Sequence, residues 1–445
     1  CTAPELVIEG EIPRDLNGTF YRNGPNPQFV PLADYHFFGG DGMVHAFKFD
    51  NGRVSHMNRW ARTPRFQIEN KMGSAQFAAL NPMGASPELL DFALTDKGGV
   101  ANTSVLWHGD RLLLLEEAHL PFEMDPDTLE SVGVYSFYGK LKSTMTAHPK
   151  VDPQSGELVF YSYMTEGPFS DKVELHKVGV DGFMTESHEF AAPYASMLHD
   201  FIVTENYIVF PVMPITSSLD RIMEGGPLLA WEPELGSRAG VMPRNGTPAD
   251  IRWIDAEACY AFHFMNGYDK DGVIYFDACL NDHAPLFPMP DGTSTGETNP
   301  RPARWKIDMN ADNPAVNIDY LSESYAEFPV VDPRYAMGEY QHTWFTSSDK
   351  TVPNSVPDSS WAYNAIEHFN VKTGASQCYA FNGHVSEPMF VPRSADATEG
   401  DGYVLTVAYD PERNTSDMCV FDAQNIGDGP VGRARVSHRV PACFH

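Results

Sequence analysis

The 445-residue chain is poor in basic residues: 31 Lys and Arg stand against 60 Asp and Glu, a net charge of −29 with a pI near 4.8. The acids are dispersed along the whole chain. Nucleic acid and anionic membrane both need basic stripes, so neither fits as a partner, and the acidity is read as a solubility device. Cysteine is scarce as well. Cys1, Cys259, Cys279, Cys378, Cys419 and Cys443 are scattered without a Cys-x-x-Cys pair, which points away from a thiolate zinc site and from a disulfide framework. A reducing cytoplasmic compartment is the expectation. No apolar run reaches the ~18 residues of a membrane helix, and no signal-like start is visible. Cys1 is an unusual first residue, so a longer natural chain is expected. No phosphate-binding glycine run occurs, which removes the commonest nucleotide sites. No linker-like stretch or composition shift divides the chain, so a single domain over residues 1–445 is expected.

What is present is glycine, proline and aromatic residue, 35 Gly, 35 Pro and 12% aromatics, spread evenly. This is the composition of many short strands and tight turns around a large aromatic core. Helical patterning is confined to two short connections, residues 86–95 and 217–224. One strand-turn-strand unit recurs. Thr144-Met-Thr-Ala-His148-Pro leads through the turn Asp152-Pro-Gln-Ser-Gly156 to Leu158-Val-Phe-Tyr-Ser-Tyr163. The same layout follows His199, with its second strand from Ile208, and His263, with its second strand from Val273. Each histidine is expected at the end of, or within, the first strand of its unit. A fourth unit, Asn102-Thr-Ser-Val-Leu-Trp-His-Gly-Asp110, lacks the histidine and has Asn102-Thr-Ser in its place. Strand-turn-strand units at intervals of about 50 to 65 residues are the mark of propeller blades. Equivalent positions in successive blades converge on one axis, so the three histidines can meet there.

Three histidines at equivalent places in repeated units are hard to explain as separate surface or core residues. Imidazoles without thiolates suit Fe, Cu, Zn or Ni, and carboxylates behind them orient the rings. His445 closes the chain and can supply a fourth ring. By contrast His36 and His45, which flank the hairpin-like Asp41-Gly42, sit in no matching unit; either can serve as a ligand in principle, but the expectation is a polar residue near the surface at a strand end. The apolar stretch Gly225-Gly-Pro-Leu-Leu-Ala-Trp231 is read either as an entrance frame or as packing on the propeller face. The Asn-x-Ser/Thr triplets at Asn17, Asn102, Asn245 and Asn414 are read as chance.

Several segments together resemble the carotenoid cleavage oxygenase family. They are Glu11-Ile-Pro13-Arg-Asp-Leu-Asn-Gly18-Thr-Phe-Tyr-Arg22-Asn-Gly-Pro, Gly40-Asp-Gly-Met-Val-His45, Thr146-Ala-His148-Pro-Lys-Val-Asp-Pro, His199-Asp-Phe, Phe262-His263-Phe-Met-Asn, Glu327-Phe-Pro and Glu387-Pro-Met-Phe-Val-Pro-Arg393. They run in order from end to end. Val100-Ala-Asn-Thr-Ser104, Met213-Pro-Ile-Thr-Ser-Ser-Leu-Asp-Arg221, Trp231-Glu-Pro-Glu and the stretch from Phe390 to Tyr403 are most similar to the branch containing lignostilbene dioxygenases and isoeugenol monooxygenase.

The resemblance implies an all-β, seven-bladed propeller with short helices and loops capping one face. It also implies Fe(II) held by His148, His199, His263 and His445, with Glu117, Glu327 and Glu387 each bonded to one of those histidines. The implied activity is cleavage of a C=C bond in a phenylpropanoid or stilbene-type aromatic alkene by O2 to carbonyl products. An apocarotenoid-cleaving oxygenase and a non-catalytic ligand-binding propeller are the alternatives. The implied partners are the small aromatic alkene and O2, and a homodimer is compatible with the chain. In the lignostilbene branch a Lys and a Tyr hold the substrate's 4-hydroxyl. Here the Lys position is Glu116 and the Tyr position falls near Ala79, so Glu116, Ala79 and Phe38 are the candidate substrate contacts. Glu116 is read either as an acceptor for the phenol proton or as a residue pointing to solvent.

Overall fold

The structure, a computed structural model, describes residues 1–32, 35–78, 85, 87–93, 95, 97–352 and 363–445. Among these residues the strands form seven blades, each an antiparallel sheet of four or five strands, beside one two-stranded hairpin. The expected all-β propeller is therefore present. In chain order the innermost strands of the blades are Gly18–Pro25, Ser104–His108, Lys150–Val151, Ile202–Val203, Tyr260–Lys270, Ala326–Val331 and Met389–Pro392.

The second strand of each blade explains why the sequence reads as it does. Leu158–Tyr163 and Tyr207–Val212 are buried almost throughout, with no polar alternation, because each is covered on both faces by the neighbouring blades. Arg111–Leu115, in the second blade, carries the same run of leucines. The core accordingly lies between blades, in aromatic-rich seams with Trp305, Trp344, Phe210, Phe276 and Tyr161 fully buried.

The ring closes across the two ends of the chain. Val7–Gly10 pairs antiparallel with Gly432–Arg435 and becomes the outer strand of the seventh blade, although it precedes the first. The segment from Leu6 to Pro25 thus contributes to two blades. His445 is also drawn to the start of the chain: Asn23 N–H donates to the His445 carbonyl at 2.8 Å, Phe444 N–H donates to Asn23 O at 3.1 Å, and His445 N–H donates to Thr103 O at 3.1 Å. Thr103 belongs to the unit that lacks its own histidine.

Four sequence expectations need correction. The strand expected to end in His148 is irregular there; Thr146 N–H still reaches Tyr161 O, but Pro149 has no N–H to continue the ladder, and the inner strand begins at Lys150. A helix outside the expected helical connections spans Pro64–Met72. Its signals are Thr63 as N-cap to Phe66 N–H, Pro64 at the first position and Gly73 in the left-handed region after the last turn. The expected helical connections are shorter than read: a 3-10 turn Pro87–Leu89 runs into the helix Leu90–Ala93, and the second holds the helix Leu219–Met223. His45 is not a surface residue at a strand end: it lies within the strand Gly42–Asp50 and is fully buried, because both faces of that strand are covered.

Gly10 ends the closing strand with φ +78°, and a Cβ there meets the Val431 carbonyl, whereas Gly73, at φ +77°, has open space around it. Gly73→Ala carries backbone strain alone, about 1–2 kcal/mol. Gly10→Ala adds overpacking and is expected to cost about 1–3 kcal/mol more, read as the difference in unfolding free energy in guanidinium titrations; equal costs show that ring closure tolerates the extra atom.

Candidate metal centre

His148, His199 and His263 come from the inner ends of three consecutive blades, and one ring nitrogen of each lies within 4.8 Å of the others. His148 Nε2 and His199 Nε2 are 3.0 Å apart, and His199 Nε2 and His263 Nε2 are 3.3 Å apart. The His445 ring stands 4.6 Å from that of His148 and 4.8 Å from that of His263, centroid to centroid. The structure thus brings together all four histidines singled out in the sequence.

Local irregularity aims these side chains. The ladder of Tyr260–Lys270 shifts register on both sides of Phe264, beside His263, and that of Ala326–Val331 shifts after Glu327. Bulges of this kind re-aim side chains at the rim of a sheet. Phe328, next to Glu327, has φ +52°, a strained conformation for a residue with a Cβ. Asp200 ties two neighbouring blades together: it accepts Phe264 N–H at 3.0 Å and pairs with Lys150 Nζ at 2.7 Å.

Three carboxylates stand behind the rings. Glu117 Oε1 pairs with His199 Nδ1, and its other oxygen accepts the Tyr163 hydroxyl at 2.8 Å. Glu327 Oε2 faces His263 Nδ1 at 2.5 Å and also accepts Phe328 N–H at 2.8 Å. Glu387 Oε1 faces His445 Nδ1 at 2.8 Å. In each case the carboxylate takes Nδ1, which leaves Nε2 as the free nitrogen. Burial drives the His148 imidazole well below its ordinary range. Burial pulls the same way on His263, but the Glu327 carboxylate outweighs it and raises that ring. Glu387 is buried too, yet His445 and Arg22 bring its carboxyl below the ordinary range.

In the sequence Arg22 is only one member of a motif, with no role of its own. It is 1% exposed, and its guanidinium donates to Glu387 Oε2 at 3.0 Å, to the Phe444 carbonyl at 2.8 Å and to the Glu387 carbonyl. It therefore fixes both Glu387 and the turn that carries His445. The aromatic wall is likewise absent from the sequence reading. Phe262 packs edge-on against His199 at 5.1 Å, and Phe328 lies 5.0 Å from His263 and 5.3 Å from His445. Only the adjacency of Phe262 to His263 and of Phe328 to Glu327 hints at it.

Among the candidate substrate contacts, Phe38 packs edge-on against Phe444 at 5.4 Å, one residue from His445. Ala79 lies outside the described residues. Glu116 matches neither of its readings. One carboxylate oxygen accepts Val100 N–H at 2.6 Å and Ala101 N–H at 2.9 Å, and the other takes His119 Nδ1 at 2.9 Å. Burial opposes ionisation, but His119 and the two backbone donors bring the carboxyl down to about 2. A carboxylate so occupied is neither a solvent residue nor a base for a phenol.

A seven-bladed propeller carrying four converging histidines and three glutamates paired with them defines a class. The chain belongs to the carotenoid cleavage oxygenase family: the family pattern described as retinal pigment epithelial membrane protein matches residues 1–445. Isoeugenol monooxygenase of Pseudomonas putida is 37% identical over 99% of this chain and 93% of its own length. Lignostilbene-alpha,beta-dioxygenase isozyme III of Sphingomonas paucimobilis is 34% identical over 99% and 92%. The crystal structure of Pseudomonas brassicacearum lignostilbene dioxygenase superposes with a TM-score of 0.94 at 34% identity, covering 100% of this chain and 94% of that one. Among the described residues no helix is long and apolar enough to cross a membrane.

Because the Glu116 carboxyl titrates near 2 in the fold against an ordinary 4.5, its stabilisation is complete above pH 4.5 and lost as pH falls toward 2. Glu116→Gln is expected to lower stability at pH 7 by roughly 1–3 kcal/mol, with the gap to the parent narrowing between pH 4.5 and 3. Denaturant titrations at several pH values measure it; a gap independent of pH removes the ionised pair from the account.

Proposed function

We propose that this protein is an Fe(II)-dependent oxygenase that uses O2 to cleave the exocyclic C=C bond of a phenylpropanoid or stilbene-type aromatic alkene. The observation that carries the reading is the convergence of His148, His199, His263 and His445, three of them backed at Nδ1 by Glu117, Glu327 and Glu387. The donor set fits iron. Imidazoles with their Nδ1 positions committed present Nε2 to a shared point, and an all-nitrogen site without thiolate suits a metal that must bind and activate a gas. Bound there, iron supplies the one-electron chemistry by which dioxygen reacts with an alkene.

The protein's own residues set the conditions for that chemistry. Glu117, Glu327 and Glu387 hold the rings of His199, His263 and His445 in one tautomer and offset, from outside the ligand set, a dipositive charge that four neutral imidazoles leave uncancelled. Arg22 holds Glu387 in register with His445. Phe262, Phe328 and Phe444 make the wall beside the histidines apolar, which keeps bulk water away and offers faces against which a conjugated ring can pack. Phe38 extends that wall and is the candidate substrate contact retained. In the overall reaction the C=C bond breaks and each of its carbons ends bonded to one oxygen atom of O2. The names of the relatives support the aromatic alkene class over an apocarotenoid, and seven filled histidine and glutamate positions weigh against a non-catalytic propeller.

His199→Ala is expected to lose iron and all activity; full iron loading in that variant sinks the four-histidine site. Glu387→Gln keeps an acceptor for the ring N–H but not the charge, and a loss of about 10–100-fold in activity is expected. The substrate class is tested by offering the iron-loaded protein isoeugenol, 4-vinylguaiacol, a 4-hydroxystilbene and an apocarotenal under air and reading product masses. Glu116→Gln is expected to leave the kcat/KM ratio of 4-hydroxy to 4-methoxy partners unchanged; a selective fall on the hydroxylated partner restores Glu116 as a phenol contact.

A further inference from the structure

A second histidine cluster lies where the two ends of the chain meet. His45, in the strand Gly42–Asp50, and His56, in the strand Arg53–Trp60, are 0% and 1% exposed. Half-buried His438 joins them from the segment that follows Gly432–Arg435. One ring nitrogen of each of the three lies within 4.8 Å of the others, as at the central histidines.

The strand register explains the clustering. His45 opposes Asn58 and Phe47 opposes His56, so His45 and His56 are diagonal neighbours on one face of the first blade. Their Nδ1 and Nε2 atoms are 3.2 Å apart. Two imidazole nitrogens on one tetrahedral zinc at about 2.0–2.1 Å stand roughly 3.3 Å apart. Asn58, on the same face, has its side-chain amide 3.5 Å from His438 Nε2. Hydrogen bonding within the cluster leaves His45 Nε2 and His56 Nδ1 buried without a partner among the described residues. Burial keeps all three rings neutral near pH 7, with His45 well below its ordinary range, His56 at about 4 and His438 lowered. Neutral imidazole is the form that ligates.

We propose that His45, His56 and His438 form a second metal site, distinct from the central histidines, which takes a borderline divalent cation of the zinc type through three imidazoles. Half-exposed His438 gives the ion its way in and leaves the outer position to water. His45 and His56 belong to the first blade, and His438 follows the last strand of the seventh, so the ion fastens the ring across its seam. An ion bound only when the seam is closed adds its binding free energy to the closed ring.

The test is zinc binding by the iron-loaded protein, read by equilibrium dialysis with elemental analysis and by melting temperature. The expected result is one zinc per chain besides iron, with a rise in melting temperature on adding zinc. Both are expected to persist in His199→Ala, which removes the central site. In His438→Ala the zinc Kd is expected to rise by at least about tenfold, a lower bound set by what loss of an outer partner alone brings, and the thermal shift disappears. His438→Gln, closer in volume, serves if the alanine variant folds poorly, and iron content equal to the parent's certifies the fold. Absence of zinc, zinc that survives both His438 changes, or zinc lost in His199→Ala but kept in His438→Ala overturns the proposal.

Discussion

Closure of the ring is the constraint on which the remaining structure depends. The ladder between Val7–Gly10 and Gly432–Arg435 joins the chain's two ends into one blade. Without it the inner strands of the other blades have no common axis to face. It also carries the C-terminal residues back to the beginning: the hydrogen bonds of Asn23 and Thr103 with the 444–445 segment put the His445 ring beside those of His148 and His263. Three histidines reach the centre because their blades repeat, while the fourth reaches it because the ring is shut. The site is therefore sensitive to the seam, although the seam is far from it in sequence.

Within the centre the organising force is electrostatic. Glu327 is a buried carboxylate and Glu117 and Glu387 are partly buried, and a charge withdrawn from water is costly unless it is paired and hydrogen-bonded. Glu117 has Tyr163 as well as His199, Glu327 has the Phe328 amide as well as His263, and Glu387 has Arg22 as well as His445. Each acid is thus held by one protein donor besides its histidine, so ring orientation is fixed by the fold and is prepared before any ion arrives.

The sequence discloses the parts that follow from repetition and fails on those that follow from closure and from broken repetition. His148, His199 and His263 are legible because similar offsets separate each from a buried, non-alternating second strand. The seven-bladed count, His445 and the three glutamates rest on the family resemblance, since neither spacing nor periodicity points to them. His45 is misplaced because a polar residue in an apolar strand reads as an edge residue until the covering blade is known. Arg22 is invisible as a clamp because its partners are Glu387 and Phe444, at the other end of the chain. The bulges around Phe264 and after Glu327 leave no trace in the hydrophobic pattern, yet they set the direction of His263 and its carboxylate.

Glu116 shows how a change at a substrate-side position can act through the backbone. Its carboxylate grips Val100 and Ala101, and Ala101 sits at φ +51°, a conformation that needs outside support. The Val100 carbonyl accepts Gly42 N–H, and the next residue, Asn102, donates its side-chain amide to the carbonyls of Phe38 at 2.7 Å and Gly40 at 2.8 Å. Phe38 in turn packs on Phe444, beside His445. An acid at position 116 therefore fixes the loop that positions the aromatic wall, where a lysine would present a cation. With both of its oxygens engaged by Val100, Ala101 and His119, the Glu116 side chain is committed to the protein's own structure.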